Sequence, residues 1–207
     1  TWSPSLDIIS WPTSGVGNYT KNMAPFVDVN QNGVYDPIHD GDYPNIKGDQ
    51  MLFWVFNDLY RQFYNYQGFS YGGIPLKMEI HASAYSFSCP ELTNADSAIN
   101  YTTFYNYKIF NRSGVNYDSC YIGNLTDYNL GDPSDDKVAC NPLNNLSFCY
   151  NGNLNDGSGE VNSYGANPPV IGNTILNGPK AYPNDGKDND NNGTIDETNE
   201  KCLMNSS

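Results

Sequence analysis

Leu76-Lys77-Met78-Glu79-Ile80-His81-Ala82-Ser83-Ala84 alternates apolar and polar residues without a break. A period of two is the geometry of a strand, and it places Leu76, Met78, Ile80, Ala82 and Ala84 on one face. Nowhere does the chain set apolar residues at i, i+3, i+4 and i+7 over a helix-length stretch. Met51-Leu52-Phe53-Trp54-Val55-Phe56 is an apolar run short enough for a buried strand. Residues 102–110 and 117–125 are rich in Thr, Tyr, Phe and Ile, with Asn111-Arg112-Ser113-Gly114 between them as a hairpin connection. Short strands separated by Gly, Pro, Asn and Asp clusters predict an all-β chain. The expected form is an antiparallel β-sandwich, jelly-roll-like or Ig-like, with long Asp/Asn/Gly-rich loops.

Beyond residue 150 the character changes. Residues 151–159 and Ala166-Asn167-Pro168-Pro169 read as loop, residues 170–176 as a last strand, and the chain from Ala181 onward as a polar, acidic linker. The expected organisation is a sandwich module over 1–180 that includes an N-terminal loop at 28–42. An acidic loop and linker to a further domain then fills 181–207. The opening Thr1-Trp2-Ser3 and the closing Asn205-Ser206-Ser207 carry no start or stop feature, so the chain reads as part of a longer one.

Lys plus Arg is 10 and Asp plus Glu is 23, a formal charge of −13. That argues against a nucleic-acid partner, which needs cations to displace counterions from phosphates, and against a polybasic membrane anchor. No apolar run approaches the ~20 residues of a membrane-spanning helix. A disordered acidic tail is poor in aromatics, whereas 14% of these residues are aromatic, among them 17 Tyr. The five cysteines form no C-x-x-C pair and only two histidines are present, His39 and His81, which disfavours structural zinc. Disulfides in an oxidising compartment are expected instead. Cys140 and Cys149 flank a polar stretch and suit the closure of a hairpin-sized loop, while the odd count leaves one thiol over.

Two segments share a pattern. Asp28-Val29-Asn30-Gln31-Asn32-Gly33-Val34-Tyr35-Asp36 and Asp188-Asn189-Asp190-Asn191-Asn192-Gly193-Thr194-Ile195-Asp196 both read D-x-[DN]-x-N-G-x-x-D. Oxygen side chains at positions 1, 3 and 5 wrap one cation, and Gly at 6 permits the sharp turn. Position 7 (Val34, Thr194) offers its backbone carbonyl, and position 9 (Asp36, Asp196) adds a carboxylate. Hard oxygen donors without Cys or His select Ca²⁺. The EF-hand's Glu at position 12 is missing, since His39 and Asn199 stand there. Asp40 or Asp42 in the first loop, and Asp185, Glu197 or Glu200 in the second, are the candidate replacements. The competing reading is that Asp, Asn and Gly simply make turns. Two matches in register favour the ion, at an extracellular-type affinity on the order of 10⁻⁴–10⁻³ M.

A third acidic stretch, residues 127–136, packs Asp127, Asp132, Asp135 and Asp136 into one segment. Their mutual repulsion calls for a cation or an Arg, with a solvated turn as the alternative. Catalytic signatures fail. Gly68-Phe69-Ser70-Tyr71-Gly72 matches G-x-S-x-G, but Gly73-Ile74-Pro75 follows where a helix is required. Paired carboxylates for glycoside hydrolysis are a spatial matter that sequence does not show. Tyr60, Phe63, Tyr64, Tyr66, Phe69 and Tyr71 crowd one polar segment and suit sugar stacking, against the plainer reading of packing over a sheet edge. Seven N-x-[ST] sequons occur, but about thirty Asn make several expected by chance.

The run Ala24-Pro25-Phe26-Val27 into the first loop, continued by Gly41-Asp42-Tyr43-Pro44 and Ile46-Lys47-Gly48-Asp49-Gln50, forms a larger pattern with several later segments. These are Trp54-Val55-Phe56-Asn57-Asp58, Asn111-Arg112-Ser113-Gly114, residues 127–136 with Val138-Ala139-Cys140-Asn141, and Tyr150-Asn151-Gly152. Together they resemble large secreted cell-surface proteins of the Bacteroidetes exported by the type IX secretion system. The tail from Asp185 to Asp196 resembles the calcium-type repeats of the same proteins. The resemblance implies an extracellular β-rich module upstream of a C-terminal sorting domain, without enzymatic activity. Asp96-Ser97-Ala98 also resembles an O-glycosylation sequon of these bacteria. The expected function is a non-enzymatic, calcium-stabilised module for adhesion or surface assembly, with a glycan or protein as partner. The alternatives are a carbohydrate-binding module attached to a secreted hydrolase, and a hydrolase using two carboxylates.

Overall fold

The computed structural model describes residues 5–14, 23–59, 64–66, 69–71, 74–90, 97–117, 120–157, 162–179, 186–188 and 193–195. Their only α-helix is the four-residue α1 (Leu6–Ile9); the other elements are antiparallel strands and two 3-10 turns. The nearly helix-free, antiparallel class expected from the alternation is what the chain adopts. Two compact units form, Thr1–Asp118 and Ser119–Ser207, so the division falls inside the stretch expected as one module.

In the first unit β1 (Phe26–Val27) pairs with β2 (Tyr43–Pro44), and this short ladder closes the loop at 28–42. The main sheet follows. β3 (Gln50–Asn57) is connected to a small hairpin, β4 (Tyr64–Tyr66) with β5 (Phe69–Tyr71), and β6 (Met78–Ser86) runs between β3 and β7 (Thr103–Asn111). The G-x-S-x-G match is not a nucleophile turn, because Ser70 lies mid-strand in β5 opposite Asn65. β6 begins at Met78 rather than Leu76. Lys77 takes a left-handed φ of 57°, and the Asp58 carboxylate accepts the N–H groups of Leu76 and Met78, each at 2.6 Å. That carboxylate replaces the ladder partner at the strand's start.

The register sorts the sheet into two faces. One row set is Leu52, Ala84, Tyr105; then Trp54, Ala82, Tyr107; then Phe56, Ile80, Ile109. The opposite face carries Phe53, Glu79, His81, Tyr85, Phe104 and Phe110. β6 is covered on both faces: Ala82 and Ala84 are buried on the apolar one, and on the nominally polar one Glu79 is 4% and His81 3% exposed. Pairing makes that burial tolerable. Glu79 Oε1 lies 2.7 Å from His81 Nε2 and accepts from Arg112 at 2.9 Å, so its charge is compensated. The His81 ring packs between Phe53 and Phe110, and the Arg112 guanidinium lies over the Phe110 ring at 5.0 Å.

Of the expected strand at 117–125, the described residues, 117 and 120–125, form no ladder. The turn at Asn111–Gly114 exists, with the Asn111 side chain bonded to Ser113 N–H and to the Val115 carbonyl, but among the described residues no strand returns from it. Tyr121 and Leu125 are instead nearly wholly exposed. β-rich composition without a ladder partner makes irregular chain.

The second unit is built on β8 (Asp136–Asn141) and β9 (Leu146–Asn151), joined through a 3-10 turn at Pro142–Asn144. Two bridging strands, β10 (Asn155–Asp156) and β11 (Gly165–Ala166), follow, and β12 (Val170–Thr174) pairs on the other side of β9. Leu130 and Cys149 supply its apolar core, and the Tyr128 hydroxyl donates to the Ser147 carbonyl at 2.9 Å. The expected Cys140–Cys149 disulfide is absent: both are free thiols, as are Cys89 and Cys120. Cys140 stands opposite Ser147 and Cys149 opposite Val138, so the two lie on a diagonal of the ladder. Diagonal positions are about 7–8 Å apart, too far for a bridge.

Candidate metal centre

The first loop curls its oxygens inward. Asp28 at position 1 accepts the Asn32 N–H at 3.2 Å through Oδ1 and the Gly33 N–H at 2.6 Å through Oδ2. Asn30 at position 3 accepts from Asn32 N–H at 3.1 Å, and Asn32 at position 5 accepts from Val34 N–H at 2.7 Å. Gly33 has φ 77°, a left-handed conformation that a side chain resists. The side chains of Asp28, Asn30 and Asn32 thus each accept backbone N–H groups within one turn.

Position 9 behaves differently. Asp36 turns outward and caps the next turn, accepting from Ile38 N–H at 3.0 Å and His39 N–H at 2.9 Å, with its other oxygen 2.8 Å from His39 Nδ1. The His39 N–H and then its ring hold the Asp36 pKa below the ordinary carboxylate value. Of the two nominated replacements, Asp40 reaches the loop, accepting from the Asn32 side-chain amide at 2.9 Å. Asp42 is wholly buried and braces the loop from beneath, accepting Val29 N–H at 2.8 Å and Asp36 N–H at 2.9 Å. Tyr35 anchors the same loop: its hydroxyl donates to the Ile8 carbonyl at 2.7 Å and its ring meets Phe26 edge-on at 5.2 Å. Burial and then the Asp42 charge push the Tyr35 pKa up.

In the second loop the described residues are 186–188 and 193–195, so Asp185, Asp190, Asn192 and Asp196 lie outside them. One bond is diagnostic. Gly193 N–H donates to Asp188 Oδ2 at 2.8 Å, the same position-6-to-position-1 contact as in the first loop, and Gly193 has φ 95°. Thr194 at position 7 is exposed.

The third acidic stretch is divided by the fold. Asp127 is exposed. Asp132 accepts Ser134 N–H at 3.0 Å, a bond that lowers its pKa, and its own N–H donates to Asp156 at 2.9 Å. Asp135 and Asp136 meet the end of β9: Asn153 Nδ2 donates to Asp135 Oδ2 at 2.6 Å, Gly152 N–H donates to the Asp135 carbonyl at 2.9 Å, and Asp136 stands opposite Asn151. Cys149 lies against Asp136; burial first, then the Asp136 charge and hydrogen bond, raise its thiol pKa. Asp156, with no exposed surface, and Asn151 were not singled out by the sequence pattern. The one signal pointing to Asn151 is the Tyr150-Asn151-Gly152 run within the resemblance.

Among the described residues, no three His, Cys, Asp or Glu side chains stand together as a ready-made cage. Loop-type calcium sites draw also on amide and backbone oxygens; in the first loop the amide oxygens are those of Asn30 and Asn32.

A second surface is chemically distinct. On the exposed face of the main sheet, Tyr105 and Tyr107 hold their rings 6.4 Å apart and 7° from parallel. Leu52, Trp54 and Phe56 stand on the far side of β6, whose Ala82 and Ala84 are buried between the two sets of larger side chains. The residues nominated from sequence fare otherwise: Tyr60 lies outside the described residues, and Tyr64, Tyr66 and Tyr71 are placed only as members of β4 and β5.

The chain matches no protein-family model, no curated protein and no solved structure.

Proposed function

We propose that this chain is a non-enzymatic, calcium-stabilised module of a secreted bacterial surface protein, exported by type IX secretion and serving adhesion or surface assembly. The observation carrying the reading is the shared Gly-to-Asp bond, Gly33 to Asp28 and Gly193 to Asp188, in two loops of the same spacing. In the first loop Asn30 and Asn32 also accept backbone N–H groups of the same turn, which gathers their amide oxygens with the Asp28 carboxylate. Excess acidic charge in such turns is relieved by a divalent cation, and an ion that binds only the folded chain stabilises it by mass action.

Thermal unfolding in EDTA and in millimolar Ca²⁺ tests this. Calcium is expected to raise the midpoint by several degrees, and Mg²⁺ at equal ionic strength to do much less. The Mg²⁺ arm matters because any divalent ion screens a chain of net charge −13. Equal curves in all three solutions would remove the ion reading.

The parallel Tyr105 and Tyr107 rings favour a second reading, a carbohydrate-binding module. Sugar rings stack on exposed aromatic faces, and this array stands on a regular sheet instead of the segment at 60–71 first nominated for it.

A further inference from the structure

Among the described residues of the second unit, three buried side-chain oxygens have no hydrogen-bond partner: Asp135 Oδ1, Asp136 Oδ1 and Asn151 Oδ1. They are neighbours by construction. Asp136 and Asn151 face each other across β8 and β9, and Asn153 links the other two, accepting from Asn151 Nδ2 at 3.0 Å and donating to Asp135 Oδ2 at 2.6 Å. Asn151 is only 8% exposed. Its donation to the Asn153 carbonyl fixes which way its amide points, so the orphaned atom is the acceptor. The remaining carboxylate oxygens are already engaged, Asp135 Oδ2 by Asn153 and Asp136 Oδ2 by Leu130 N–H at 3.0 Å, and the Cys149 thiol is the other donor beside the Asp136 carboxylate. Among the described residues no Lys or Arg forms an ion pair with either carboxylate.

Ionised carboxylates and an amide carbonyl are acceptors only, so the three have nothing to offer one another. Leaving such groups unpaired in a buried place forfeits their hydration without return, and the loss is greater for a charge. A single water donates two protons and leaves one oxygen unserved and two charges uncompensated. A divalent cation serves all three at once.

We propose that Asp135, Asp136 and Asn151 form a calcium site at the open end of the β8–β9 hairpin, with Asn151 as its neutral ligand. The site deepens the calcium reading above and rests on it for the choice of ion, but not for its geometry. It also narrows the third acidic stretch, since Asp127 and Asp132 take no part. Backbone carbonyls and water complete the coordination that Ca²⁺ requires.

The test is calcium titration by calorimetry on the full chain, with unfolding midpoints measured in EDTA and in Ca²⁺. Asp136→Asn supplies an amide whose nitrogen donates to the two remaining orphaned oxygens. It is expected to raise the midpoint in EDTA while weakening one class of bound calcium at least tenfold. Asn151→Asp, which adds a third carboxylate, is expected to do the reverse: a lower midpoint in EDTA, and a larger rise on adding Ca²⁺ than the parent shows. Asp28→Ala serves as the control for the first loop.

If Asp28→Ala abolishes calcium uptake while Asp136→Asn leaves the parent isotherm unchanged, the loop reading stands and this site is refuted. If Asp136→Asn removes one class of bound ion and Asp28→Ala removes none, the site stands and the first loop falls. An Asn151→Asp protein that calcium does not rescue, or one that stays unfolded in both solutions, counts against the site.

Discussion

The backbone of Gly131 presses against the carboxylate of Asp156, so that a Cβ added at residue 131 would overlap both carboxylate oxygens. The two residues define how the second unit is closed: Asp156 is fully buried and accepts the N–H groups of Asp132 and Tyr164. Gly131 also has φ 70°. Gly131→Ala therefore meets strain and collision together, and is expected to cost about 2–4 kcal/mol. Gly114 has a similar φ of 76° but nothing within 4 Å of an added Cβ. Gly114→Ala is expected to cost only about 1–2 kcal/mol. Urea unfolding of the two variants gives the comparison, and equal losses would contradict the packing assigned to Asp156.

In the first unit the matching buried carboxylate is Asp42, which joins Val29 N–H near the start of the loop to Asp36 N–H at its end. Asp42→Ala leaves both donors without an acceptor, at about 1–3 kcal/mol for each that stays dry. The expected result is local opening. Amide exchange at Val29 and Asp36 accelerates strongly, while exchange in β6 changes little. Uniform acceleration across the unit would mean that Asp42 holds up the sheet and not the loop alone.

How far this was legible in the sequence depended on the range of each interaction. The alternation at β6 announced a strand because period two is local. The burial of its polar face as well was not legible, because the group that neutralises Glu79 is Arg112, 33 residues away in the chain. The loop oxygens were readable from spacing, since Asp28, Asn30 and Asn32 act within one turn. The outward swing of Asp36 was not, for His39 lies beyond the motif and captures it. Asn151 and Asp156 escaped notice for the same reason: each acquires its meaning from a partner brought up by the β8–β9 register or by the turn at Gly131. The described residues of 117–125 have strand composition without a ladder neighbour, and composition alone does not make a ladder.

Titration offers a check at both ends of the pH range. Asp36 and Asp132 have folded pKa values below the ordinary carboxylate range, through bonds from His39 and Ser134. Their contribution to stability is present above about pH 4 and is lost as pH falls through the lower folded values. Cys149 and Tyr35 are shifted up by burial, with Asp136 and Asp42 adding to the effect. Each favours its protonated form in the fold, so stability is full below about pH 8.5 and declines as pH rises, Cys149 acting first and Tyr35 above about pH 10. Unfolding free energies measured from pH 3 to 11, as an approximate span chosen from those reference values, are expected to fall at both limbs. Cys149→Ala should flatten the first part of the alkaline limb and Asp36→Asn part of the acid limb. Limbs unmoved by either substitution would detach those shifts from the fold's stability.

The exposed face of the main sheet yields the last prediction. Tyr105 and Tyr107 are two residues apart on β7, and their ring separation of 6.4 Å matches the advance of a strand over two residues. With Trp54 beyond the buried Ala82, the face presents a strip of half-exposed rings. An extended oligosaccharide laid along that strip would stack on several rings, each worth on the order of 1 kcal/mol. Titration of the protein with soluble oligosaccharides, followed by tryptophan fluorescence and calorimetry, is expected to give saturable binding that strengthens with chain length. Tyr105→Ala with Tyr107→Ala should weaken it by roughly tenfold or more, the equivalent of about 1.4 kcal/mol. The same pair of substitutions should leave the calcium-dependent rise in midpoint intact, because the first loop belongs to other residues. Length-independent or absent binding across the panel would leave the calcium module without a glycan function on this face.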